Sequence, residues 1–114
     1  MKSILVKEIV GYNAISMNSG NKLKELILES WNGNERIELN FIEVEVFASP
    51  FFNASIGVLL KDKKIEDLQG KLVFSNISEH GKKLLNLVIS NAIKFYSDTE
   101  GKTTQGLSEI RKDL

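Results

Sequence analysis

The feature that most constrains this chain's fold is the alternation Arg36-Ile37-Glu38-Leu39-Asn40-Phe41, which soon runs into Ser49-Pro50. Successive side chains on a strand point to opposite faces, so Ile37, Leu39 and Phe41 share one apolar face. Proline lacks an N–H and has a fixed φ, so it fits the first helical position, and serine is a favoured residue just before it. A one-faced strand leading into a helix demands a layered fold, with helices covering the apolar side of a sheet.

The flanking segments repeat this logic. Residues 3–10 (Ile4, Val6, Ile9, Val10) read as an opening strand, Gly11-Tyr12-Asn13 as a turn, and Ala14 to Met17 as a short second strand folding back as a hairpin. Asn18-Ser19-Gly20-Asn21 offers capping chemistry for a helix carrying Leu23, Leu26, Ile27 and Trp31 on one face, and Asn32-Gly33-Asn34 stops it. The helix from Pro50 carries Phe52, Ile56, Leu59 and Leu60 and ends in the charged run Lys61 to Lys64. Leu68-Gln69-Gly70 reads as a turn into a strand over 71–77, and Ser78 as the cap of a long last helix from Leu84 to Tyr96. The order β(β)αβαβα predicts an α/β domain over residues 1–97, with a small mixed or partly parallel β-sheet and helices packed on it. Residues 98–114 have no apolar period and read as a loose tail, with Leu107, Ile110 and Leu114 spaced for one short turn.

Composition narrows the function classes. With 114 residues the chain has room for one domain, and its 42% hydrophobic content is enough for a core. There is no cysteine, which excludes a disulfide scaffold, a thiolate nucleophile and cysteine-ligated metals. Fifteen basic and fifteen acidic residues balance, giving no bulk attraction to nucleic acid or anionic lipid. Lys7-Glu8 interrupts the first apolar run, too early for a signal peptide or a membrane span, so the expected location is cytoplasmic.

Conventional catalytic groups are scarce. His80 is the only histidine and reads as a surface imidazole rather than a base. Glu43 and Glu45 could share a strand face as a paired carboxylate, and more simply line a solvated edge. Lys61, Lys63, Lys64 and Lys71 form a basic patch interleaved with Asp62, Glu66 and Asp67. No phosphate loop and no Gly-x-Ser-x-Gly motif is present. The expectation is a protein without enzymatic activity, metal or cofactor.

The segment from Arg36 to Phe52 resembles the central strand, loop and helix start of STAS domains, the fold of bacterial anti-sigma-factor antagonists. With the element order, the resemblance covers residues 3–97. It points to the divergent STAS-like branch of unestablished function, in which a serine followed by bulky aromatics opens the helix. It implies a regulatory interaction module docking on a partner through Ser49, Pro50, Phe51 and Asn53. The implied partner is a histidine-kinase-fold ATPase or an anti-sigma-like regulator, controlled by phosphorylation of a loop serine. Asn40 and Ala48 stand where the family has aspartates, Ser49 matches the first serine, and Pro50 occupies the position of the usual acceptor serine.

Two questions stay open in the residues themselves. Ser49 is either a helix cap or a modification site, where a phosphate would meet backbone N–H groups. Phe51 lies about 100° round the helix from Phe52, so it is either an exposed anchor for a partner or a second core ring. A small-molecule or nucleotide sensor near this loop is the alternative function. A homodimer is compatible with the sequence, which shows no interface signature for it.

Overall fold

A computed structural model of the chain describes residues 1–101. Its elements are β1 (Lys2–Leu5), α1 (Lys7–Val10), β2 (Asn13–Ala14), α2 (Met17–Glu29), β3 (Ile37–Asn40) and β4 (Val46–Phe47). They continue as α3 (Ser49–Ser55), a 3-10 turn (Gly57–Lys61), α4 (Ile65–Lys71), β5 (Leu72–Ser75) and α5 (Glu79–Gly101). The tail expected over 98–114 therefore begins inside α5, and beyond Gly101 it lies outside the described residues.

The main sheet has the order β1-β3-β5 with every pairing parallel, Ile4 beside Leu39 and Leu39 beside Phe74. Each strand is laid down beyond the last in the same direction, so right-handed crossovers leave the helices that connect the strands on one face. That explains why β3 alternates although parallel strands are usually apolar on both sides. Ile37 and Leu39 are buried, whereas Glu38 and Asn40 sit half-buried on the open face. There Glu38 accepts hydrogen bonds from Ser75 Oγ (2.6 Å) and Ser3 Oγ (2.9 Å), which hold its carboxyl below the usual glutamate range.

The expected hairpin is not formed. Val6 N–H still bonds Asn40 O, but Ile9 and Val10 N–H turn back onto Val6 O, closing the helical turn α1. Val6, Ile9 and Val10 fit helical spacing as well as the strand period, and this ambiguity hid the turn. Without a two-residue reversal, β2 continues in the direction of β1 and pairs parallel with β4, Ala14 beside Phe47. The two ladders thus run one after the other, interrupted by α1 on one chain segment and residues 41–45 on the other.

Two helix starts also differ from expectation. Ser16 caps α2, its Oγ accepting from Ser19 N–H at 3.0 Å, ahead of the predicted 18–21 cluster. The segment read as a turn at Leu68-Gln69-Gly70 is part of α4, started where Lys64 N–H donates to Asp67 Oδ2 at 3.0 Å. Only Ile65 and Leu68 face inward there, too few to display a helical stripe in sequence. The expected cap of α5 is present, Gly81 N–H donating to Ser78 Oγ at 3.1 Å. The core gathers Leu23 and Ile27 from α2, Ile37 and Leu39 from β3, and the rings of Phe41, Phe51 and Phe52, all fully buried.

Candidate functional site

The β4–α3 junction is held from three sides. From below, Ala48 N–H donates to Ala14 O (3.0 Å), tying the loop to β2. Gly20 of α2 packs against α3 so closely that a Cβ there would lie 2.5 Å from Phe51 O and 2.8 Å from the Ala54 Cβ. Gly81 of α5 meets Phe47 in the same way, an added Cβ falling 2.8 Å from two of its ring carbons. Phe47 in turn stacks on Phe52 with centroids 5.7 Å apart. Three elements and an aromatic stack therefore fix the position of the first turn of α3.

Within that frame the four residues read from sequence divide. Pro50 and Asn53 are exposed and Ser49 is half-buried. Positions 50 and 53 are three apart on a helix and share a face. Phe51 is fully buried, as is Phe52, and their rings meet edge to face at 5.4 Å. Of the two alternatives for this pair, burial of both is what the fold adopts, so Phe51 is no exposed anchor. The reason is the Gly20 contact: α2 lies against the side of α3 that Phe51 occupies, leaving the ring no route to solvent.

Ser49 is not the cap either. The residue before the helix is Ala48, in extended conformation (φ −139°, ψ 152°) and with no side-chain cap, and Ser49 is the first helical residue. Pro50 consequently stands one position deeper than expected, still within the first turn, where its missing N–H leaves no bond unmade.

Sequence reasoning missed the rim of this surface. Val46 (46% exposed) precedes the buried Phe47, and Ile15 and Met17 (62% exposed) follow the buried Ala14 across the β2–β4 pair. By register, Val46 shares its sheet face with Asn13. The available signal was the adjacency Val46-Phe47: neighbours on a strand face opposite ways, so both could not enter the core. His80 lies exposed at the other rim, its ring 6.4 Å from that of Phe47 and edge-on to it.

The remaining charged candidates do not converge on this site. Glu43 has φ 67° and lies in the turn before β4, where the strand period that would pair it with Glu45 does not apply. Its carboxylate bonds Lys7 Nζ at 2.8 Å and holds that ammonium above the usual lysine range. The basic patch is divided as well: Lys71 Nζ donates to Gly33 O (2.6 Å), while Lys63 Nζ lies over the Trp31 ring. Among the described residues, no three His, Cys, Asp or Glu side chains come together to hold a metal ion, and no helix is long and apolar enough to cross a membrane.

A small one-faced sheet, helices on one side and a strand-to-helix loop presented at its end define an α/β domain of the STAS-like class. A sequence family described as STAS-like domain of unknown function (DUF4325) matches residues 19–82, more than half of the chain, and the chain belongs to that family. No curated protein and no solved structure matched it.

Proposed function

We propose that this chain is a non-enzymatic cytoplasmic regulatory module that docks on a protein partner through Ser49, Pro50 and Asn53. The observation that carries this reading is the combination of exposure and rigidity at the α3 start. Pro50 and Asn53 face solvent while Phe51 and Phe52 anchor the turn from beneath, and Val46, Ile15 and Met17 add apolar surface at the rim. A preorganised surface loses little conformational entropy on binding, and exposed apolar side chains supply the contact area. Membership of the STAS-like family supports a histidine-kinase-fold ATPase or an anti-sigma-like regulator as the partner.

Ser49 is half-buried and does not cap its helix, which leaves its hydroxyl available as the phospho-acceptor in place of Pro50. A phosphate there adds about −2 charge beside an apolar rim and switches docking by desolvation and repulsion.

The test is a pull-down from native lysate with ATP present, comparing the wild type with Asn53→Arg. Enrichment of a kinase-fold ATPase by the wild type, lost in the variant at unchanged melting temperature, is the expected result. Equal capture by both would overturn this docking surface. An unchanged intact mass after incubation with that ATPase and ATP would remove Ser49 as an acceptor.

A further inference from the structure

The turn Trp31-Asn32-Gly33-Asn34 that follows α2 carries chemistry of its own. It stands at the far end of α2 from Met17 and the docking surface, and Asn32, Gly33 and Asn34 are all exposed. Asn32-Gly33 is the one asparagine–glycine pair in the chain. The side-chain amide carbon of an asparagine, Cγ, lies where the next residue's backbone nitrogen can close a five-membered ring on it. Glycine favours that closure, because it has no Cβ to hinder the nitrogen and turns freely about φ and ψ.

The fold puts little in the way at this pair. The Asn32 carboxamide makes no hydrogen bond among the described residues. Gly33 N–H meets Ser30 O at 3.3 Å, just past the usual range for such a bond, so the nitrogen is weakly held. At Asn18-Ser19 the corresponding nitrogen is engaged: Ser19 N–H donates to Ser16 Oγ at 3.0 Å in the first turn of α2.

We propose that Asn32 is a self-modification site. The Gly33 backbone nitrogen attacks Asn32 Cγ and forms a C–N bond, the bond from Cγ to the side-chain nitrogen breaks, and ammonia leaves with the proton that Gly33 N gives up. Water then opens the resulting succinimide at either carbonyl, giving aspartate or isoaspartate, and it is the only co-reactant. Either product adds a carboxylate just past the C-terminal end of α2, where the helix dipole is already negative. Isoaspartate also adds a main-chain atom to the connection between α2 and β3. That atom enters next to Gly33, whose carbonyl accepts from Lys71 Nζ at 2.6 Å, so the modified turn loosens the tie to the end of α4.

The full chain is incubated at mildly alkaline pH and followed by intact mass, and its peptides are mapped with a fragmentation that separates isoaspartate from aspartate. The expected result is a gain of about 1 Da per chain, located at Asn32, with isoaspartate the larger fraction. Gly33→Ala should slow the gain by about tenfold or more at an unchanged melting curve, since its Cβ would meet only Ser30 O, at an ordinary 3.5 Å. Asn32→Gln, at an exposed position, should abolish it. Four outcomes overturn the proposal: a chain that keeps its mass, a gain that maps to other asparagines, a rate that Gly33→Ala leaves unchanged, or a product of aspartate alone, which marks direct attack by water.

Discussion

Gly20→Ala puts one methyl group into the contact that positions α3. In an exposed helix interior this substitution would stabilise by about 1 kcal/mol through helix propensity. Here the new Cβ would lie 2.5 Å from Phe51 O, inside the 3.0 Å that real Cβ atoms essentially never breach. The obstacle is a backbone carbonyl, which cannot rotate away, and it already accepts the buried Ser55 Oγ hydrogen bond at 2.8 Å. Restoring ordinary contact requires α2 and α3 to separate by about 1 Å, which lifts Phe51 from a fully buried position. Overpacking of this kind costs about 1–3 kcal/mol, and the rigid obstacle argues for its upper end, leaving a net loss of about 2 kcal/mol. For a domain of this size each kcal/mol moves Tm by about 4–8 °C, so the variant should melt clearly lower in a calorimetric or circular-dichroism scan. Gly70→Ala is the control: it lies in α4, where an added Cβ meets nothing within 4 Å, and it should raise Tm slightly. If Gly20→Ala melts as high as Gly70→Ala, the close helix contact does not hold α3 in place.

Phe51→Ser should cost about 4 kcal/mol, since it empties a buried ring site and leaves a hydroxyl in its place; a variant that keeps its Tm and loses only partner binding would contradict the burial found here. Glu38→Gln tests the open sheet face through pH. The folded-state carboxyl is depressed, first by the Ser75 hydroxyl and then by the Ser3 hydroxyl, so its stabilisation is present above the unfolded glutamate pKa and is lost as pH falls through the folded value. The Tm gap between wild type and Glu38→Gln should therefore be full at neutral pH and shrink on acidification through and below the ordinary glutamate range. A gap that is constant with pH would show that the two serine hydroxyls do not select the ionised form.

The sequence by itself determined the run β1, α2, β3, α3, β5, α5 (without α1, β4 and α4), the apolar face of β3, the Ser78 cap of α5 and the STAS-like family. These depend on residues within a few positions of one another, where side-chain period and capping chemistry act. Only the tertiary structure decided that β2 pairs parallel with β4, that Ala48 rather than Ser49 precedes α3, and that Phe51 enters the core. Each of those was set by a partner some thirty residues away along the chain: Ala14 O binding Ala48 N–H, and Gly20 admitting the α3 backbone. The local pattern around Ser49-Pro50-Phe51-Phe52 was compatible with more than one arrangement. The helix packed against it left room for one.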